Sequence, residues 1–241
     1  MHIEVYPKYT RMHEDHLYDK TVVTVAVLRS GTSMIWAMAN GAKKLIPASD
    51  AGEAVSLYGR LGADDCILAG EIGNAKPQGF TLGNSPREFT AKVVSGKTVI
   101  MSTNNGTAAL TGIGVAKNII LGAIINKTAA AKKAVELGDD VIILCAGEDG
   151  EISAADLCGA GAIIDACLTE ATKRGIYTDE SDMAFVCRQL YKDWRTKSFN
   201  ISSTKAYKEL TLRSAKEDIA FCFTADMTDV VPKYIDGTVV L

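Results

Sequence analysis

The sequence predicts an α/β fold with a largely parallel or mixed central sheet and helices on both faces. Three features carry this expectation. Short β-branched apolar runs recur through the first 150 residues, helical patterns separate them, and 241 residues suffice for one sizeable core.

The runs are TVVTVAVL (21–28), KKLIPAS (43–49), DDCILAGEI (64–72), KTVIMST (97–103), NIILGAIIN (118–126) and DDVIILCAG (139–147). Each is bounded by turn residues and apolar on successive positions, as strands covered on both faces require. Between them TSMIWAMANGA (32–42), SDAGEAVSLYGRLG (49–62) and KTAAAKKAVELGD (127–139) carry helical spacing and good helix formers. After residue 150 the character shifts. SAADLCGAGAIIDACLTEATKRG (153–175) starts with Ser153 as N-cap and Asp156 at the third helical position, a capping-box variant, and its apolar length predicts a buried helix. ESDMAFVCRQLYKDW (180–194) and SSTKAYKELTL (202–212) read as amphipathic helices. The tail KEDIAFCFTADMTDVVPKYIDGTVVL reads as a strand or irregular segment followed by a hairpin through Asp236–Gly237. No repeat or long linker divides the chain, so residues 1–241 are expected to form a single domain. The stretch of about 150–215 then serves as helical cover on the same core, or at most as a subdomain.

With 47% hydrophobic residues, 23% charged residues and a net charge of −3, the chain has no basic footprint for nucleic acid. No apolar run approaches the roughly 18 residues of a membrane span, and the start lacks a signal peptide's apolar segment, which predicts a cytoplasmic protein. Six cysteines (66, 145, 158, 167, 187 and 222) form no C-x-x-C pair, and no histidine lies beyond residue 16. Reduced core thiols are therefore expected rather than a zinc site. His2, His13 and His16 all fall in the first segment, which argues against a His-based triad.

In open α/β sheets ligands bind beyond the carboxyl ends of the strands. Four junctions here are unusually polar. In VLRSGTS, Arg29 precedes Ser30, Gly31, Thr32 and Ser33 at a helix start, a set suited to phosphate or carboxylate, although an ordinary cap with a surface Arg reads the same way. In GEIGNAKPQGFTLGNSP, Glu71 ends a strand as a candidate base or hard-cation ligand, while Asn84 and Ser85 precede Pro86 at a helix start. In STNNGTAAL, Ser102, Thr103, Asn104 and Asn105 lead through Gly106 into Thr107, an anion cradle or simply a capped turn. In CAGEDGEISAAD, Glu148, Asp149, Glu151 and Asp156 surround a glycine turn and could hold Mg²⁺. Taken together they point to a small anionic substrate handled with a divalent cation, and hydrolysis of a phosphate ester fits.

The blocks VLRSGTS, GEIGNAKPQGFTLGNSP, TNNGTAAL, LCAGEDGEISAADLCGAGAIID and KEDIAFCFTADMTDVVP occur in the order and spacing of the 2-phosphosulfolactate phosphatase family, the ComB type, which this chain resembles from about residue 20 to 235. The resemblance implies a three-layer α/β/α fold and Mg²⁺-dependent removal of phosphate from a small sulfonated acid in coenzyme M biosynthesis. It falls on Arg29, Gly70, Glu71, Lys76, Gly79, Phe80, Gly83, Asn84, Ser85, Pro86, Asn105, Gly106, Thr107, Asp149, Gly150, Glu151 and Ser153. With the junction reading, it gives Glu71, Asp149 and Glu151 as catalytic and metal-holding residues. Substrate contacts are expected from Arg29, Ser30, Thr32, Lys76, Asn84, Ser85, Thr103, Asn104, Asn105, Gly106 and Thr107.

Four charged positions of the family pattern are neutral here: an acid is replaced by Ala26, an Arg by Ile72, an Asp by Thr81 and an Arg by Ala108. Loss of one bidentate Arg contact costs about 1.5–3 kcal/mol, enough to change substrate. A related phosphatase with altered specificity is therefore expected. The alternatives are a catalytically silent anion-binding or assembly paralogue, and a lyase or isomerase on a related acid. The apolar helices after residue 153 make a homo-oligomer conceivable.

Overall fold

The chain begins with a strand that the sequence does not announce, β1 (His2–Tyr6). The expected runs follow as β2 (Thr21–Val25), β3 (Lys44–Ala48), β4 (Cys66–Gly70), β5 (Thr98–Ser102), β6 (Asn118–Gly122) and β7 (Val141–Cys145). A short β8 (Asp179–Glu180) and the hairpin β9 (Lys233–Ile235) and β10 (Thr238–Val240) complete the set. The structure is a computed structural model and describes residues 1–9, 14–62, 64–138, 140–213 and 215–241. His13 lies outside these.

The helices are α1 (Ser30–Ala39), α2 (Ala51–Leu61), α3 (Ala91–Val94), α4 (Gly106–Thr111), α5 (Lys127–Leu137), α6 (Ala154–Lys173), α7 (Asp182–Arg195), α8 (Lys205–Leu212) and α9 (Lys216–Cys222). Their starts follow local chemistry. Asp50 accepts from Glu53 N at 2.9 Å at the head of α2, and Ser153 accepts from Asp156 N at 3.3 Å at the head of α6. Helix α9 corrects the expectation of a strand or irregular segment. Glu217 and Asp218 sit in its first turn, where the helix dipole favours carboxylates, and Ile219 and Cys222 bury one face at helical spacing.

The sheet runs β4-β5-β3-β10-β9-β6-β2-β7-β1-β8. Strands β4, β5 and β3 are mutually parallel, as are β6, β2, β7, β1 and β8. The C-terminal hairpin joins these two blocks through antiparallel pairings, Val239 with Leu45 on one side and Lys233 with Ile120 on the other. Its turn, Asp236–Gly237, has φ of 48° and 77°, the left-handed pair that a type I′ turn requires.

Three packed clusters make this a three-layer α/β/α arrangement. Leu68, Cys66 and Ile100 of the smaller block pack against Ala54 of α2. Met34, Ile35 and Met38 of α1 share one cluster with Leu45, Val99 and Met101 of that block and with Val22, Ile119 and Ile142 of the larger. On the other face of the larger block, Val23, Val25 and Ile143 pack against Ala131 and Ala134 of α5, Ile163 and Ile164 of α6, and Cys187 of α7. Residues 150–195 thus cover the common core. All six cysteines are buried and free, and burial pushes Cys158, Cys167, Cys187 and Cys222 up to about 12. Among the described residues no helix is long and apolar enough to cross a membrane.

Candidate active site

The loops that follow β2, β4, β5 and β7 meet at one place, and a buried ion network ties two of them to α9. Arg29, just ahead of α1, donates through Nη2 to Glu71 Oε2 and through Nη1 to Asp218 Oδ2, each at 2.9 Å. Ser85 Oγ donates to the other Asp218 oxygen at 2.6 Å. Arg29 is only 7% exposed, so the surface-Arg reading does not hold. The paired carboxylates favour its charge, although burial opposes it. Asp218 belongs to this network and was missed as a site residue. The signal for it in the sequence is the pair Glu217–Asp218 ahead of an apolar run, the pattern of a helix start.

The long loop after β4 is held by its own strand. Thr81 N and Leu82 N both donate to Leu68 O at 3.0 Å, and Gly70 N bonds back to Leu82 O and Gly83 O at 3.3 Å. Gly70 is required here: a Cβ at that position would sit 2.0 Å from Ser102 O. This close approach lets Glu71 N donate to Ser102 O at 2.9 Å and sets the Glu71 carboxylate against Arg29. The second Glu71 oxygen makes no hydrogen bond among the described residues. Asn84, 2% exposed, accepts from Ser33 Oγ at its backbone carbonyl, yet its side-chain Nδ2 and Oδ1 are both buried without a partner.

Several expected substrate contacts turn out to hold the loops themselves. Thr32 Oγ1 donates to Val27 O, and Thr107 Oγ1 donates to Thr103 O, both at 2.9 Å. Thr103 Oγ1 accepts from Thr107 N at 3.2 Å. The hydroxyls of Thr32, Thr103 and Thr107 are therefore committed to turn closure. Gly106 presses α4 against α1: a Cβ there would lie 2.1 Å from Ser30 Oγ. Asn105 Oδ1 accepts from Asp149 N at 3.1 Å, joining the loops after β5 and β7. Asn104 and Asp149 line a cavity of about 490 Å³ with Gly73, Asn74, Glu209 and Arg213. Lys76 is exposed on the loop after β4.

The carboxylates after β7 separate into different roles. Asp156 is buried and bridges two loops, accepting from Val27 N at 2.8 Å and from Gly147 N at 3.0 Å. Burial raises it to about 7, against the pull of those two N–H groups. It therefore positions the site rather than facing a ligand. Asp149 pairs with Lys205 at 3.3 Å, and Glu151 is exposed with its backbone bonded to that of Glu148. Glu148 is half-buried and lies above the usual carboxylate range, through burial first and then through Glu209, Asp149 and Glu71, which outweigh Lys205. Among the described residues no three acidic, His or Cys side chains converge, so Glu71, Asp149 and Glu151 do not form one three-ligand group. Mg²⁺ commonly takes only one or two carboxylates, with water and phosphate oxygens completing its shell.

The neutral positions have distinct surroundings. Ala26 is buried in a small apolar cluster with Ala109, Ala146 and Tyr9. Ile72 is 59% exposed, Thr81 is exposed and Ala108 is half-buried. The two described histidines stand away from the site's loops, His2 against Asp179 and His16 against Tyr6.

Fold and site together define an α/β protein whose functional loops gather at the strand carboxyl ends, centred on a buried Arg–Glu–Asp network. The chain belongs to the 2-phosphosulpholactate phosphatase family, whose model matches residues 6–237. It is 35% identical to a probable 2-phosphosulfolactate phosphatase of Caldanaerobacter subterraneus subsp. tengcongensis, over 99% of this chain and 98% of that one. A protein of the same description from Clostridium acetobutylicum is 35% identical over 94% of both chains, and one from Clostridium tetani 32% identical over 99% and 100%.

Proposed function

We propose that the protein hydrolyses the phosphate ester of a small acidic molecule, with Mg²⁺, and that its preferred acid differs from the 2-phosphosulfolactate in its relatives' names. The observation that carries this reading is the Asn84 side chain, whose donor and acceptor are both buried and unpartnered in the loop that sets Glu71. Leaving such an amide unmet costs about 1–3 kcal/mol, which a bound oxyanion and its attacking water would return. Nδ2 suits a phosphoryl oxygen and Oδ1 suits a water proton.

Phosphoryl transfer needs positioning and charge stabilisation more than covalent chemistry from the protein. Glu71 keeps Oε2 on Arg29 and offers its other oxygen to the attacking water. That oxygen takes the water proton as the new P–O bond forms, and the ester oxygen, leaving on the opposite side of phosphorus, takes a proton from solvent as the old P–O bond breaks. Arg29 and Asp218 hold Glu71 in place, and Ser85 holds Asp218. Glu148 and Asp149 are the residues that would hold Mg²⁺, which supplies positive charge to the phosphoryl oxygens. Ile72 and Ala108 in place of two arginines favour a substrate with less negative charge away from its phosphate.

The test is phosphate release from a panel of small phosphorylated acids, including 2-phosphosulfolactate and phosphoglycolate, with Mg²⁺ and with chelator, for wild type and Glu71→Gln. Metal-dependent release that falls at least about a hundredfold in the variant supports the reading. No release from any ester by folded protein overturns it. A second reading, a silent anion-binding paralogue, is favoured by one observation: Arg29 is already balanced by two carboxylates. Restoring Arg at Ile72 and Ala108 and acid at Ala26 would then be required for any turnover.

A further inference from the structure

A cleft of about 520 Å³ opens at the amino end of β6, whereas the candidate site lies at the strand carboxyl ends, and the two share no residue. Its origin is the seam between β6 and β9. Their register is confined to Ile120 with Lys233, reinforced by Leu121 N donating to Pro232 O at 2.9 Å, and Asn118 and Tyr234 part beyond it to line the opening.

The lining is cationic on a molecule of net charge −3. Lys117, Lys133 and Lys233 line the cleft, and Asp236 is the one carboxylate among its described lining residues. Lys133 is partly balanced by Glu136 at 3.1 Å, and Lys117 also has a partner of its own. The Lys233 side chain makes no hydrogen bond or ion pair among the described residues. Leu137 and Ile235 supply apolar wall beside these groups. Cations over an apolar wall are what recognise an anionic small molecule, and the volume lies in the range of ligand sites.

We propose that this cleft is a second ligand site, which takes a small molecule carrying a multiply charged oxyanion on an apolar, ring-sized body. Lys117, Lys133 and Lys233 hold the anion, and the body rests against Leu137 and Ile235. The site is independent of the proposed hydrolysis.

The experiment is calorimetric titration with inorganic pyrophosphate and with adenosine 5′-diphosphate, in chelator, together with amide hydrogen exchange. The expected result is protection of residues 114–120 and 233–237 by both probes, with the nucleotide binding more tightly. Lys233→Glu and, independently, the exposed Lys117→Glu are each expected to weaken binding by about tenfold or more, while Lys233→Arg retains it. Lys117→Glu leaves the seam pairing untouched, so it keeps the test valid if Lys233→Glu fails to fold. Protection confined to residues 70–85 and 103–107, no binding of either probe, or affinities unmoved by both charge reversals would each overturn the proposal.

Discussion

At the centre of the site a single guanidinium balances two carboxylates that water barely reaches. The side chains of Arg29, Glu71 and Asp218 are 8%, 10% and 5% exposed. Removing Arg29 strands two buried negative charges, and breaking a buried pair in this way costs about 3–5 kcal/mol. Arg29→Met is therefore expected to lower the unfolding free energy by that order, read as a fall in the urea midpoint. Arg29→Lys should recover little, because one ammonium cannot span both carboxylates as the planar fork does. Asn84 is expected to behave oppositely. Its side-chain amide has no partner among the described residues, so Asn84→Ala should cost less than about 1.5 kcal/mol in the same denaturation series. The same variant should lose at least about tenfold in phosphate release if the amide meets the substrate. A large stability loss with unchanged turnover would make Asn84 a structural residue. These two residues were legible as polar groups at strand ends, but their burial was not. A short-range pattern shows that Arg29 precedes a helix; only the tertiary arrival of α9 brings Asp218 to it.

Among elements, the helix starts that crowd together set the loop geometry. At the contact of α1 and α4 a methyl group on Gly106 would fall 2.1 Å from Ser30 Oγ and 2.7 Å from Ser30 Cβ. Gly106→Ala should destabilise by about 1–3 kcal/mol, as overpacking does, and Ser30→Gly in the same chain should return most of that loss. Thermal melts of the two single variants and the double variant test the coupling; simple additivity would refute the contact. The loop before α1 and the loop before α6 are joined differently, through Asp156. Burial raises its folded value from 3.8 to about 7, so between those values the folded state binds the proton and the unfolded state does not. Its contribution therefore disfavours folding increasingly as pH rises from about 4 to 7, by a few kcal/mol at most, and stays constant above that range. Asp156→Asn should flatten this part of the stability curve, while leaving either the Val27 or the Gly147 amide without its acceptor. Unfolding midpoints measured from pH 4.5 to 8 would show the change of slope. The spacing marks Ser153 as the N-cap, as the structure has it, but Asp156 does not close a capping box, because its carboxylate takes Val27 N and Gly147 N instead. Strands β2 to β7 were legible because both of their faces are buried, leaving continuous apolar runs. Strand β1 was not, because its alternation spans five residues with a Glu and a His among them, and its pairing with β7 is long-range.

For the whole molecule, the last nine residues join what would otherwise be two sheets. Each block has its own helical layer, α2 on the smaller and α5 to α7 on the larger, but α1 shares its core with both. The hairpin fills the gap between β3 and β6, with Val239 fully buried in that shared core. Deleting residues 233–241 exposes the backbone edges of β3 and β6 and uncovers one side of the α1 cluster. Unpaired edges and exposed apolar surface both favour association, so the truncated chain is expected to aggregate. Its loss of order should be uneven. The smaller block has three strands and one principal helical cover, and should lose amide protection first, whereas β2 and β7, paired on both sides, should keep theirs. Because the site draws Glu71 from the smaller block and Arg29 from the larger, phosphate release should vanish even where β2 and β7 remain protected. Hydrogen exchange on freshly prepared truncated protein, compared with the full chain, decides the matter. Uniform loss of protection in both blocks would mean that they fold only as one unit, and full protection with intact turnover would mean that α1 alone holds them together.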